Sequence, residues 1–113
     1  MTVNKELMKG STVILILTLL DHKPMYGYEM IKEIEIKSDG VFTFKEGTLY
    51  PILHSLERDG MVECHWTKTE DGRKRKYYRI TKSGREHMKE KQEEWKVFRS
   101  AVDKVIWEGI VWG

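Results

Sequence analysis

Apolar residues recur at helical spacing in three segments of the first half of the chain. The first predicted helix runs from Asn4 to Asp21 and is apolar on all sides in its second half, so it must be buried. The second runs from Tyr26 to Lys37. The third runs from Thr48 to Arg58, with Thr48 as its N-cap, so that Pro51 falls in the first turn, where its missing N–H costs nothing.

Two strands follow these helices. The segment from Met61 to Lys68 alternates apolar and polar residues, which is typical of a strand, and Lys74 to Ile80 forms the second strand. Asp71-Gly72 between them predicts a hairpin, because both residues tolerate positive φ. Alternation places Trp66 on the face that carries Val62, so we expect it in the core under the hairpin. In the second strand, Tyr78 and Ile80 are expected on the core face.

The last predicted helix extends from about Ser83 to Glu108, capped by Ser83 or by its rival Thr81. A helix of this span is roughly 40 Å long, more than so small a domain can bury. Its apolar residues alternate at spacings of three and four, which is a heptad seam and predicts a partner chain. The seam consists of Trp95, Phe98, Val102, Val105, Gly109 and Trp112, widened by Ala101, Ile106 and Ile110.

These elements predict a fold that is mainly α with a small β-hairpin. Residues 1–82 are expected to form a winged helix-turn-helix domain, and residues 83–113 a long C-terminal dimerisation helix. The length of 113 residues fits one domain, and 34% charged with 40% hydrophobic residues is typical of a soluble globular protein. The partner chain is expected to be a second copy, which makes the protein a homodimer.

Membrane insertion and secretion are not expected. The most apolar run, Val13 to Leu20, is far shorter than the ~20 residues of a membrane span, and no cleavage site follows it. Cys64 is the only cysteine, so no internal disulfide can form. A reducing cytoplasm is therefore the predicted location.

The net charge of +2 conceals a basic segment. Between Lys68 and Arg85 lie eight basic and two acidic residues, or +6, whereas the remainder keeps twelve of the 20 basic and sixteen of the 18 acidic residues, or −4. A local contact with a polyanion needs such a segment, although charge alone equally fits a solvated hairpin. The neighbouring elements favour the contact with a polyanion.

The third helix carries a polar face suited to the major groove of double-stranded DNA. The apolar stripe of this helix consists of Leu49, Ile52, Leu53 and Leu56. The polar face lies outside this stripe and contains Thr48, Tyr50, His54 and Ser55. The hairpin tip supplies mobile cations for phosphate contacts, namely Arg73, Lys74 and Arg75. Helix and hairpin together predict a DNA-binding regulator, with residues 1–82 as its DNA-binding domain.

Several strings of residues resemble the PadR family of transcriptional regulators, in particular its short subgroup with one C-terminal helix. They are Tyr26-Gly27-Tyr28-Glu29-Met30, Glu46-Gly47-Thr48-Leu49-Tyr50-Pro51-Ile52-Leu53 and Arg75-Lys76-Tyr77-Tyr78-Arg79-Ile80-Thr81. The resemblance covers about Met8 to Val105. It implies a dimeric repressor on a partly palindromic operator, typically of detoxification, phenolic-acid stress or efflux genes. His54-Ser55 departs from the family, where a basic residue is common, and this puts the base preference in doubt.

Combining residues and resemblance, the candidate DNA-binding residues are Tyr26, Tyr28, Thr48, Leu49, Tyr50, His54, Ser55, Arg73, Lys74 and Arg75. Tyr26 and Tyr28 either contact phosphate or only pack. Some family members bind planar aromatic compounds between paired tryptophans, so Trp95 is either part of an effector site or packing at the dimer centre. The candidate effector and dimer residues are Val13, Leu17, Trp95, Phe98, Val102 and Val105.

Other function classes fit the sequence less well. The four histidines are scattered, and Cys64 and His65 point to opposite faces of a strand, so no metal site is expected. No catalytic set or phosphate-binding glycine loop occurs, so we expect neither an enzyme nor a cofactor. The alternative is a winged-helix protein-interaction module without DNA or ligand function, which would not need a local charge of +6.

Overall fold

The computed structural model describes residues 10–108. The helices and strands occur in the order that the sequence predicts, with one additional short strand. They are α1 (Thr12–His22), β1 (Met25–Tyr26), α2 (Gly27–Lys37), α3 (Glu46–Arg58), β2 (Val62–Lys68), β3 (Lys74–Ile80) and α4 (Lys82–Asp103), followed by a π-helical turn (Lys104–Glu108). Three helices, a strand hairpin and a long last helix make up the predicted winged helix-turn-helix arrangement.

The first helix begins later than predicted. Gly10 and Ser11 lie in a turn and α1 starts at Thr12, consistent with the entropic cost of helical glycine. The predicted portion from Asn4 to Lys9 lies outside the described residues. At the other end Lys23, which precedes Pro24, is extended at φ −167°, because proline disfavours a helical conformation in the residue before it.

The second and third helices form the helix-turn-helix. A turn containing Asp39 and Gly40, both at positive φ, ends α2. The prediction of Thr48 as N-cap is wrong: α3 begins at Glu46, and Lys45 occupies the N-cap position without a capping side-chain hydrogen bond. Pro51 therefore lies in the helix interior, where it cannot donate to the carbonyl of Gly47.

The sheet contains three antiparallel strands in the order β1-β3-β2. The register pairs Val62 with Ile80 in the hairpin and Met25 with Tyr78 in the short strand. β1 was not predicted, because two residues are too few to show an alternation. Its pairing joins the base of the hairpin to the start of α2.

One core unites all of these elements. It contains Ile16, Leu17, Leu20, Met25, Met30, Ile34, Leu49, Leu53, Val62, Tyr78, Ile80 and Met88, each at most 8% exposed. The predicted core positions of Tyr78 and Ile80 are confirmed. That of Trp66 is wrong: its side chain is 64% exposed, because the hairpin extends past the helices that would cover it.

The long helix starts almost directly from the sheet. Thr81 is its N-cap and accepts a hydrogen bond from the Gly84 N–H at 3.0 Å, so Ser83 is not the cap. A Cβ at Gly84 would overlap the carbonyl oxygen of Met61, and glycine therefore permits this close approach. The α-helical conformation ends at Asp103, short of the predicted Glu108.

Two polar contacts fasten the first half of α4 to α1. Arg85 Nε donates to Asp21 Oδ1 at 2.8 Å, and Gln92 Nε2 donates to Thr18 Oγ1 at 2.9 Å. Past the start of α1 the helix extends away from the domain, and the described chain measures 63 × 30 × 21 Å. No helix among residues 10–108 is long and apolar enough to cross a membrane.

Candidate nucleic-acid interface

The outer face of α3 is the first part of the candidate interface. Leu49, Leu53 and Leu56 are buried and hold the helix on the core, which leaves Thr48 and His54 exposed on the opposite side. Ser55 is half-buried and accepts a hydrogen bond from Arg58 at 3.2 Å. Thr48 and His54 are thus the α3 candidates most open to a nucleic acid.

Leu49 and Tyr50, two further candidates on α3, pack against other residues of the same chain. The Leu49 side chain is 0% exposed, so its assignment as a DNA contact is wrong. Tyr50 is half-buried against the start of α2: a Cβ at Gly27 would lie 2.6 Å from the Tyr50 hydroxyl. Burial, followed by the charge of Glu46, raises the pKa of Tyr50, and the hydroxyl stays neutral.

The two tyrosines at the start of α2 have different surroundings. The ring of Tyr28 is 49% exposed, with the Lys32 ammonium 5.5 Å from its centre. Tyr26 lies in β1, where Tyr77 meets it edge-on with ring centres 5.5 Å apart. The Arg75 guanidinium lies 4.5 Å from the centre of the Tyr26 ring, close enough for a cation–π interaction. Tyr26 therefore links the helix-turn-helix to the hairpin.

The hairpin tip presents the predicted cations to solvent. Arg73, Lys74 and Arg75 are all exposed. The loop is closed by a hydrogen bond from the Thr69 N–H to the Arg73 carbonyl at 2.7 Å, and Gly72 adopts φ +84°. The Arg73 side chain is 82% exposed and pairs with Asp71 only at 3.7 Å. Exposed pairs of this kind contribute about 0–1 kcal/mol, so Arg73 can exchange Asp71 for a phosphate.

Trp66 is the hairpin residue that the sequence reasoning misplaced. It lies opposite Lys76 in the β2–β3 ladder, near the tip. The exposure of Trp66 could have been predicted from the strand lengths, because strands of seven residues are longer than a small core can cover. The hairpin thus adds an exposed aromatic side chain to its cations.

Comparison with known proteins identifies the family. The sequence model of the transcriptional regulator PadR-like family matches residues 16–90. These residues include the helix-turn-helix and the wing, which is the hairpin of β2 and β3. The chain belongs to the PadR-like family. The predicted family and the predicted winged-helix fold are therefore confirmed, and the protein is a transcriptional regulator rather than an enzyme.

Curated relatives and solved structures agree with membership of the PadR-like family. An uncharacterized protein of Lysinibacillus sphaericus is 35% identical over 108 residues, covering 96% of this chain and 98% of its own. The transcriptional regulator YqjI of Escherichia coli is 31% identical over 85 residues, which are 75% of this chain but 39% of YqjI. A transcriptional regulator from Clostridium thermocellum superimposes with a TM-score of 0.83 at 34% identity, covering 90% of this chain and 99% of its own.

A PadR-like transcriptional regulator from Bacillus cereus superimposes over a similar span. Its TM-score is 0.80 at 27% identity, covering 91% of this chain and 98% of its own. Both structures include the long helix as well as the winged unit in their coverage.

This PadR-like chain also has an open apolar groove between α1 and α4, with a volume of about 740 Å³. Val13 and Ile14 line one side, and Trp95 and Phe98, stacked with ring centres 5.8 Å apart, line the other. Leu17 does not belong to the groove: it is 0% exposed within its own core, so its assignment to an effector or dimer surface is wrong.

The apolar seam continues along α4 past this groove. Val102 is half-buried, Val105 is 75% exposed, and both line a second depression of about 330 Å³ with Phe98 and Ile106. The remaining seam positions, Gly109, Ile110 and Trp112, lie outside the described residues. Within residues 10–108 no group of three or more metal-ligating side chains comes together.

Proposed function

We propose that this PadR-like regulator is a repressor that acts as a homodimer on a partly palindromic double-stranded DNA operator. Residues 1–82 bind one half-site, and residues 83–113 bring two copies together. The observation that carries the proposal is that the exposed polar face of α3 and the exposed cations of the hairpin belong to elements that share one hydrophobic core. The recognition helix then reads bases while the wing contacts the flanking backbone.

The homodimer explains the apolar surface of α4. Phe98 of α4 and Val105 and Ile106 of the π-helical turn after it are 58%, 75% and 43% exposed in the single chain and line one depression. Contiguous apolar surface of this kind is typical of protein interfaces. Pairing two copies of α4 through the seam would cover these side chains and place the two recognition helices on successive turns of DNA.

A planar aromatic effector fits the groove between α1 and α4. The indole of Trp95 is 44% exposed beside Phe98, so a flat molecule can stack on it, with about 0.5–1.5 kcal/mol for each aromatic contact. A guest that spreads the two long helices would change the half-site spacing and release the operator. Packing of Trp95 against the partner is the alternative outcome.

The experiment that tests DNA binding is a salt titration of the triple variant Arg73→Ala, Lys74→Ala and Arg75→Ala. Each phosphate contact contributes about 0.9 to the slope of log affinity against log salt, so the slope should flatten by up to about 3. The matched control replaces three exposed lysines outside the interface, Lys37, Lys89 and Lys104, by alanine.

Affinity for operator and random DNA should fall together in the wing variant and much less in the control. Equal salt slopes in wild type and wing variant would contradict the role of the wing. A wild-type protein that binds no duplex at moderate salt would favour the protein-interaction alternative.

A further inference from the structure

One carboxylate connects the recognition helix to both strands of the wing. Glu57 lies one residue before the end of α3. Its Oε2 accepts a hydrogen bond from Cys64 Sγ in β2 at 2.8 Å, and its Oε1 accepts one from Lys76 Nζ in β3 at 3.3 Å. A single side chain of the recognition helix thus holds the two wing strands at once.

Lys76 differs from the other cations of the hairpin. Arg73, Lys74, Arg75 and Arg79 are exposed, whereas the Lys76 side chain is only 26% exposed. Its ammonium lies 5.2 Å from the centre of the buried Tyr78 ring. Lys76 is therefore turned inward, toward Glu57, while its neighbours face solvent.

The protonation states suit a neutral bridge. The hydrogen bond from Cys64, assisted by Lys76, lowers the pKa of Glu57 despite its partial burial. Donation to Glu57, followed by burial, raises the pKa of Cys64, so the thiol keeps its proton. Burial, the largest single effect, lowers the pKa of Lys76, but the bond to Glu57 and the interactions with Tyr78 and Cys64 together outweigh it, so the pKa is raised. At neutral pH one carboxylate and one ammonium offset each other.

We propose that Glu57 is a positioning residue for DNA discrimination: it holds Lys76 away from phosphate and fixes the wing against the recognition helix. This inference rests on the proposed DNA-binding function. Phosphate contacts add affinity for every sequence without distinguishing them. A Lys76 ammonium released from Glu57 would therefore strengthen non-specific binding, and a wing free to move would align less well with the bases that α3 reads.

Glu57→Gln tests the proposal, because it removes the charge and keeps the size of the side chain. On a random-sequence duplex we expect affinity to rise about five- to tenfold and the salt slope to steepen by about 1, as Lys76 gains a phosphate. The second duplex is a fragment of the source genome that the wild type binds selectively in a pull-down. On this fragment the affinity of the variant should rise less than on the random-sequence duplex. The ratio of the two affinities should therefore fall.

Glu63→Gln is the matched control. Glu63 pairs with Arg79 at 2.9 Å on the exposed side of the same sheet, and both side chains are more than half exposed. This variant changes the net charge equally but frees a cation that is already exposed, so we expect a smaller change in slope. The double variant Glu57→Gln with Lys76→Met should lose the steepened slope, because no ammonium remains to be released.

The outcomes separate the two proposals. If Glu57→Gln weakens both DNAs equally at an unchanged slope, Glu57 has only a structural role and the inference is overturned. If it behaves like Glu63→Gln, overall charge explains the effect and the inference is also overturned. If the wild type itself shows no salt-dependent binding to DNA, the proposed function fails, whatever the variants do.

Discussion

The winged unit and the outer part of α4 differ in where their apolar side chains lie. From Thr12 to Ile80, the side chains of the helical stripes meet inside the chain, and Ile16, Leu49 and Leu53 are 0% exposed. Beyond Gln92, Val97 and Phe98 of α4 and Val105 of the π-helical turn are 58–75% exposed. The same periodicity thus produces a closed core in one region and an open surface in the other.

The difference shows what a hydrophobic pattern does and does not specify. Apolar spacing determines which face of a helix leaves water, since burial gains about 25 cal/mol per Å². It does not determine whether the covering residues come from the same chain. The first region has neighbouring helices on several sides, whereas, among residues 10–108, the outer part of α4 has only the start of α1 beside it.

The largest expected effect comes from a charge placed in the open region. Val102→Asp should place an unpaired carboxylate on each side of the proposed two-fold axis, at a cost of several kcal/mol. Sedimentation of the variant should show monomer or aggregate. The winged unit, measured by its far-ultraviolet circular dichroism, should remain folded.

Ser100→Asp is the control for this charge. Ser100 is exposed and, two residues before Val102, lies on the opposite side of the helix at ~100° per residue. Its variant should remain a dimer. A stable dimer of Val102→Asp with undiminished DNA affinity would place the interface elsewhere and remove the contrast between the two regions.

A smaller effect is expected from tightening the closed region. Gly27→Ala places a methyl group 2.6 Å from the Tyr50 hydroxyl and within 3 Å of its ring. Overpacking of this kind costs about 1–3 kcal/mol, and urea unfolding should show it. Gly47→Ala is the control: the added carbon meets nothing within 4 Å in α3, so it should be neutral or stabilising by up to about 1 kcal/mol. Equal midpoints would mean that Tyr50 does not pack on α2.

The smallest expected effect concerns the groove. Titration of a planar dye or a phenolic acid should quench part of the tryptophan fluorescence to saturation, and the quenching should vanish in Trp95→Ala. Trp66→Phe, on the hairpin, should leave it unchanged. If no planar compound quenches the wild type or alters its DNA affinity, Trp95 serves only for packing.

Much of the fold could be predicted because periodicity reports burial directly. The stripe of α3 and the bounds of β3, Lys74 to Ile80, follow from spacing alone. β1 could not be predicted, since its two residues form a strand only by pairing with β3. Trp66 was misplaced because alternation gives the face of a strand but not the point at which the body beneath it ends.

The candidate site could be predicted in part. The exposed cations of the hairpin follow from the turn signal at Asp71-Gly72. Leu49 and Leu17 were misassigned because motif membership and apolar character do not tell which way a side chain points. The bridge of Glu57, Cys64 and Lys76 could not be seen, since its members are separated by 7 and 19 residues in the chain.

Thr81 is the single residue between β3 and α4. The direction in which each side chain of α4 points is therefore fixed relative to the sheet from the first turn of the helix. One residue inserted between Gly84 and Trp95 would rotate the rest of α4 by about 100°. Trp95 and Phe98 would then turn away from Val13, although no side chain had been replaced. Insertions in this segment are therefore expected to be harmful unless they restore the helical phase, as seven residues nearly do, whereas the loop at Glu70 and Asp71 has no such requirement.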